Sequence, residues 1–292
     1  MYAVNLVKML FPVNTHVYII HLYLRTYYII VMPGTSKAKS PSGIEIVFEE
    51  LTHKYTSEVN GKIIDYTSGT TFIHKFIPEF DPTGVITARC AKKQGVSVEE
   101  LKKQWSEKGR IATTLGTRCH EICEDIELGR EIRNKAQNEK EERMFANAAK
   151  MATAFKQKID ILGVEKIVFS PELQIAGTID LFAKSRKDST YLIIDHKTNK
   201  SIDQENKWNN FCLEPIKHVP NLNFWHYGLQ LNLYAYLLKY GKWVPKDAKF
   251  KFFLNHITES EASLIALPDM QLEIRDMMID FLLKKLDAPT SS

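Results

Sequence analysis

Two short runs of sequence decide the fold. Residues 177–182 are Gly-Thr-Ile-Asp-Leu-Phe, and residues 191–198 are Tyr-Leu-Ile-Ile-Asp-His-Lys-Thr. Both runs are apolar and rich in β-formers, and the turn-rich segment between them predicts an antiparallel hairpin. In that hairpin Asp180 and Asp195 lie about opposite one another, and Lys197 shares a strand face with Asp195. The hairpin therefore predicts two carboxylates and one ammonium group together beside apolar sequence.

The predicted carboxylate pair has two physical interpretations. Two like charges about 5 Å apart destabilise a sheet unless something offsets them, and a hard divalent cation such as Mg²⁺ or Mn²⁺ does so. Alternatively, Asp180 and Lys197 form a cross-strand ion pair, with Asp195 as a solvated neighbour. Spacing alone leaves both interpretations open.

The sequence around the hairpin predicts one α/β or α+β domain. Asn60-Gly61 lies between alternating apolar and polar residues and predicts a further hairpin. Ser97 and Glu100 form a capping box, and Gly109 and Gly129 mark ends of helices over residues 97–129. The remaining expected elements are a helix at 137–162, strands at 164–173, 175–184 and 190–197, a helix at 223–240, strands at 249–257 and 262–267, and a helix at 269–286.

Composition describes an ordinary folded protein. The chain has 292 residues, of which 44% are hydrophobic and 25% charged, which excludes a mainly disordered, collagen-like or low-complexity chain. The net charge of +4 comes entirely from basic residues that precede Glu45. Polyanion binding must therefore use a local basic surface. Four scattered cysteines do not form a disulfide framework, which favours a reducing, cytoplasmic compartment.

The first 43 residues are expected to be a hydrophobic and disordered leader. Residues 17–31 are apolar except for His21 and Arg25, so the run is short for a membrane span and carries a costly charge. A membrane anchor and a cleaved organellar presequence are alternatives. We favour residues 1–31 as an upstream reading-frame extension, with Met32 as the start and no membrane contact.

Four motifs in chain order carry a family resemblance. They are Gly-Thr-Arg-Cys-His-Glu-Ile at 116–122, Gly-Thr-Ile-Asp at 177–180, Asp-His-Lys-Thr at 195–198 and Gln-Leu-Asn-Leu-Tyr at 230–234. Together they resemble the PD-(D/E)XK nuclease superfamily, and more narrowly its RecB-like and phage (viral) recombination exonuclease branch. The proline of the superfamily's name is absent beside Asp180.

The resemblance implies a restriction-endonuclease-like core, in which helices flank a small mixed central sheet, preceded by an N-terminal β-hairpin and a helical region. The implied division is an N-terminal hairpin with its connecting segment at 44–96 and the nuclease domain at 97–292. It also implies a site. The expected metal ligands are His120, Asp180, Asp195 and the main-chain carbonyl of His196; the catalytic residues are Lys197, Asp195, Asp180 and the accessory acid Glu172; the DNA-positioning residues are Gln230, Tyr234 and Thr198.

The expected cofactor is one or two Mg²⁺ or Mn²⁺ ions. Zinc is not expected, because Cys119, His120 and Cys123 supply only three local ligands. Some relatives hold an iron–sulfur cluster with one upstream cysteine and three near the C-terminus. That cluster is not expected here, because the last cysteine, Cys212, precedes the Gln230 motif.

The resemblance implies a metal-dependent DNA exonuclease in viral or phage recombination, repair or genome processing. Its expected partners are linear duplex or single-stranded DNA with free ends and a single-strand annealing or recombination protein, in the host cytoplasm or nucleoid. Two alternatives stay open: an endonuclease of the same fold that cuts DNA or RNA, as cap-snatching domains do, and a non-catalytic nucleic-acid-binding domain.

Overall fold

The computed structural model of the protein describes residues 34–79, 84–207 and 209–287. The predicted extension at residues 1–31 lies outside these ranges. Among the described residues, no helix is long and apolar enough to cross a membrane.

The chain folds as a mixed sheet with helices on both sides, which confirms the predicted fold class. The strands are β1 Thr35–Lys39, β2 Glu45–Glu49, β3 Lys54–Val59, β4 Lys62–Ser68, β5 Ile159–Ser170, β6 Ile175–Ser185, β7 Tyr191–Lys197, β8 Phe250–Ile257 and β9 Ala262–Leu267. The helices are α1 Gly69–His74, α2 Val85–Gln94, α3 Val98–Leu128, α4 Glu139–Lys158, α5 Asn223–Tyr240 and α6 Gln271–Asp287.

The strands form one continuous sheet. Strands β1 to β4 form an antiparallel meander, and β4 then pairs in parallel with β6. On the far side of β6 the order continues as β7, β8 and β9, with β7 and β8 parallel. The predicted N-terminal segment, 44–96, and the predicted nuclease domain therefore share a sheet.

Strand β6 is the centre of this arrangement, and its two edges differ. One edge pairs with β5 along the whole of β6. The other edge pairs with β4 at residues 175–176 and with β7 from residue 181 to 184. Within the described chain, residues 177–180 have no strand partner on that edge, so a gap opens in the sheet at the Gly-Thr-Ile-Asp motif.

The N-terminal hairpin forms as predicted. Asn60 and Gly61 both have positive φ, 52° and 74°, as a two-residue turn of type I′ requires, and Val59 pairs with Lys62 across it. The leader prediction is wrong for its last part, because Thr35–Lys39 pairs with β2 as strand β1. Ile46 and Phe48 of β2 belong to a core cluster that Ala38 of β1 also joins, so apolar packing supports the pairing of β1.

Helix α3 is one long helix rather than several. Ser97 caps its start by accepting a hydrogen bond from the Glu100 amide, and Gly129 ends it in a left-handed conformation. Gly109, which the sequence suggested as an end, is an exposed interior residue. Helices α3 and α4 pack together through a core that includes Cys119 and Cys123.

Helix α5 packs on the other side of the sheet and is buried almost all round, as expected of a helix that is apolar on every face. Its Tyr234 ring packs against β6 at Gly177. A Cβ atom on Gly177 would clash with Cε1 of Tyr234. The glycine of the first acidic motif is therefore required by this close approach of helix to strand.

Replacing Gly177 should test that contact. We expect Gly177→Ala to lower the free energy of unfolding by about 1–3 kcal/mol, because the new methyl group forces the buried ring to move. Gly109→Ala is the matched control. Its added Cβ meets nothing within 4 Å, so it should raise stability by about 0.5–1 kcal/mol. Urea unfolding of both variants measures the difference, and equal stabilities would contradict the packing account.

Candidate active site

The candidate site lies at the gap in β6, where three elements converge on Asp180. The main-chain amide of His196, on β7, donates a hydrogen bond of 2.8 Å to Oδ2 of Asp180. Nδ1 of His120, on α3, lies 3.4 Å from the same oxygen. The predicted register holds, because the β6–β7 ladder ends with Leu181 opposite Ile194 and places Asp180 and Asp195 at the next position.

A group of metal-binding side chains surrounds this point. One ligand atom from each of His120, Glu165 and Asp180 lies within 4.8 Å of the others. Glu165 belongs to β5, between residues that pair with Leu181 and Ile179, so it lies across from Asp180. Its φ of 47° is unusual for a residue with a side chain, and such local strain is common at functional sites.

The electrostatics of this group fit a cation. Desolvation in the cleft, followed by the charge of Asp180, raises the pKa of Glu165 to about 8. Burial lowers the pKa of His120 to about 4, which leaves the imidazole neutral at pH 7 with a lone pair to donate. A divalent ion would offset the repulsion between the two carboxylates. One nitrogen and two carboxylates form a donor set that suits Mn²⁺ or Mg²⁺.

Asp195 and Lys197 form a separate pair beside the metal-binding group. The Lys197 ammonium contacts Oδ2 of Asp195, so its ion-pair partner is not Asp180 as the alternative interpretation assumed. Asp195 is 4% exposed, and desolvation together with Asp180 raises its pKa to about 6 even though Lys197 opposes the shift. Desolvation favours the neutral form of Lys197. The negative charges of Asp195 and Asp180 outweigh it and raise the pKa of Lys197 to about 12. Lys197 is therefore a fixed positive charge at neutral pH.

Tyr227 is a contact of Lys197 that the sequence analysis missed. The Lys197 ammonium lies 4.9 Å from the centroid of the Tyr227 ring, and the Tyr227 hydroxyl donates a 3.0 Å hydrogen bond to Oδ1 of Asn199. A cation over an aromatic face is attracted to it, so the ring helps to hold the ammonium in place. The sequence signal that could have identified Tyr227 is its position one helical turn before Gln230.

Gln230, Tyr234 and Thr198 also lie around the gap. Nε2 of Gln230 donates a 2.9 Å hydrogen bond to the Tyr234 hydroxyl, so these two residues act as one unit. Burial raises the pKa of Tyr234, which is therefore neutral. A Cβ on Gly116 of α3 would lie 3.0 Å from Oγ1 of Thr198, so the helix and the end of β7 approach closely. The DNA-positioning roles of all three stay predictions.

The His196 ring packs edge-on against the ring of His120, with centroids 5.6 Å apart, and its two nitrogens face other partners. Its Nδ1 lies 3.0 Å from Nδ2 of Asn255, and its Nε2 lies 3.4 Å from Oε1 of the buried Glu127. Although desolvation opposes it, contacts with Cys123 and Glu127 raise the His196 pKa above its usual value. The structure thus uses the ring of His196 to anchor β7, and metal binding by its carbonyl stays a prediction.

The sequence analysis placed Glu172 on the expected strand at 164–173, just before the strand of Asp180, and this prediction is wrong. Strand β5 ends at Ser170, and Glu172 is exposed in the turn that follows, where its Oε2 accepts a 2.8 Å hydrogen bond from the Ser170 hydroxyl. Glu165 occupies the position beside Asp180 instead. The sequence analysis extended β5 too far, and therefore chose an acid seven residues beyond the one that lies across from Asp180.

A model of the PD-(D/E)XK nuclease superfamily matches residues 71–280. The chain therefore belongs to this superfamily. Membership implies a metal-dependent nuclease, and such nucleases usually use Mg²⁺ or Mn²⁺. The chain has no match among curated proteins.

The two acids Glu165 and Glu172 give a direct test of the site. Glu165→Gln keeps the size of the side chain and removes its charge, so we expect Mn²⁺ to bind at least about tenfold more weakly. Loss of a residue that only holds a metal ligand in place already lowers metal affinity about 10–100-fold. Glu172→Gln, the matched control, should bind Mn²⁺ like the wild type. Calorimetric titration measures both affinities, and a loss confined to Glu172→Gln would restore the original assignment.

Proposed function

We propose that the protein is a metal-dependent DNA exonuclease of the RecB-like and phage recombination type. The observation that carries the nuclease part of this proposal is the juxtaposition of the His120, Glu165 and Asp180 group with the Asp195–Lys197 pair. Ligands for a cation and a fixed ammonium group side by side suit a phosphodiester, which needs its negative charge neutralised during attack.

Each residue has a distinct part in this proposal. His120, Glu165 and Asp180 would hold the metal, which when bound lowers the pKa of water and offsets negative charge on the phosphate. Lys197 places a permanent positive charge beside the phosphate. Asp195 and Asp180 favour its charged form, in which Lys197 would help to activate the attacking water as an electrostatic partner and hydrogen-bond donor. Asp195 holds Lys197 and is itself kept in place by burial.

The exonuclease part rests on how the N-terminal sheet stands beside the site. The hydroxyl of Tyr55, on β3, lies 2.9 Å from Oγ1 of Thr178 in the gap of β6, which ties the meander to the catalytic strand. Helix α3 forms the opposite side of the same cleft. These two walls could guide a strand past the site, and the requirement for a free end itself rests on the resemblance. The resemblance to viral exonucleases supports roles in recombination, repair or genome processing with an annealing protein in the cytoplasm.

Removing either member of the ion pair should stop cleavage. We expect Lys197→Ala to lower the cleavage rate at least about 100-fold while DNA binding changes little, because one preorganised charge near the reacting phosphate is lost. Asp195→Asn should lose activity to a similar extent. Lys251→Ala, which removes an exposed lysine paired with Asp188, is the control and should cut normally. Single-turnover cleavage of end-labelled duplex in Mg²⁺ or Mn²⁺ checks this, and normal rates for Lys197→Ala would falsify the mechanism.

End dependence should be visible with two forms of one plasmid. Linear duplex is expected to be degraded from its termini, while a covalently closed circle survives the same incubation, and activity should fall steeply with added salt. Agarose gels over time measure both. Linearisation of the circle would place the protein among the endonucleases, cleavage of RNA alone would favour the cap-snatching type, and binding without any cleavage would favour a non-catalytic domain.

A further inference from the structure

The cleft contains an aromatic surface that the proposed chemistry does not use. Phe48, His53 and Tyr55, here called the aromatic wall, come from β2, β3 and the turn between them. The Phe48 and Tyr55 rings stack with centroids 4.4 Å apart, and the His53 ring centroid lies 6.0 Å from that of Phe48. Phe48 is half-buried and His53 is exposed, so part of the wall faces open space.

The aromatic wall lines the same cavity as His120 and Glu165 of the metal-binding group. This cavity has a volume of about 860 Å³, and its walls include Phe48, Tyr55, His120, Glu165 and Lys197. Tyr55 is fixed at the gap of β6 through its hydrogen bond to Thr178, two residues before Asp180. The position of the wall relative to the metal-binding group is therefore set by a direct contact.

The opposite side of the cavity is made of small side chains. Ala112, Thr113, Gly116 and Thr117 of α3 line it, which leaves a slot between the helix and the aromatic wall. Small residues on one side and flat rings on the other favour a planar, apolar group. A nucleobase has that shape, and base stacking on aromatic side chains is a main source of affinity for single strands.

Beyond the slot the surface becomes basic. A second cavity of about 730 Å³ shares Ala112, Thr198 and Asn199 with the first, and its lining includes Lys108, Lys140 and Lys200. A strand whose base lies in the slot can thus continue over positive charge that suits its phosphates. The two cavities together form a path for one strand past the metal-binding group.

We propose that the site acts on an unpaired DNA strand, and that the base next to the scissile phosphate stacks on Phe48. In a duplex both faces of each internal base are already stacked on neighbours, so only an unpaired or frayed nucleotide offers a free face to the wall. This inference rests on the proposed nuclease function. It adds that the substrate at the moment of cleavage is single-stranded and that Phe48 is a substrate-binding residue.

Combining a protein change with a substrate change tests this contact. Single-stranded oligonucleotides are made intact or with one abasic nucleotide, and cleavage at each linkage is resolved on a denaturing gel. In the wild type, the abasic nucleotide should lower kcat/KM at the flanking linkage by about tenfold or more. Phe48→Leu keeps apolar volume without an aromatic face. It should cut the intact strand more slowly, and the abasic nucleotide should then have little further effect.

Two further variants separate binding from folding. Phe48→Trp should restore both the rate and the sensitivity to the abasic nucleotide, a rescue that a purely structural role does not explain. Ile63→Ala, which removes an exposed apolar side chain from β4, should behave like the wild type. If the wild type cuts but Phe48→Leu stays fully sensitive to the abasic nucleotide, the stacking inference alone is wrong. If the wild type cuts no substrate, the proposed function and the inference are both overturned.

Discussion

The interruption of one edge of β6 at residues 177–180 is the constraint on which the rest of the structure depends. Strands β4 and β7 pair with the two ends of this edge, so the residues between them are open to side chains from elsewhere. Tyr234 fills the position beside Gly177, Tyr55 bonds to Thr178, and the His196 amide bonds to Asp180. A continuous ladder would occupy the space in which the helix, the N-terminal sheet and the metal-binding group now meet.

Charge is distributed over this gap in two units. Glu165 lies across from Asp180, so two carboxylates face one another there, whereas Asp195 and Lys197 form a close and largely buried ion pair. A buried charge is costly unless it is paired, so Lys197 stabilises the buried Asp195, whereas a bound cation would offset the like charges of Asp180 and the exposed Glu165. Asp195 of the signature motif contacts Lys197, and its role as a metal ligand stays a prediction.

Local features were predictable from the sequence, and contacts between distant elements were harder to predict. The turn at Asn60-Gly61 and the β6–β7 register follow from short connections, which fix pairing directly. Glu165 was missed because its place depends on where β5 ends, and a strand drawn three residues too long moves the expected acid into the turn. Tyr227 and the docking of β4 on β6 depend on packing between distant parts of the chain, which spacing within one segment does not reveal.

The central claim is that the gap of β6 holds a catalytic cation between α3, β5 and β6. Crystals soaked in Mn²⁺ and measured at the manganese absorption edge test it most directly, because anomalous scattering locates the ion without reference to activity. The account predicts one strong peak within about 2.0–2.5 Å of a His120 nitrogen and of oxygens from Glu165 and Asp180. A peak at Glu172, or a gap that stays empty while the ion binds elsewhere, would contradict it.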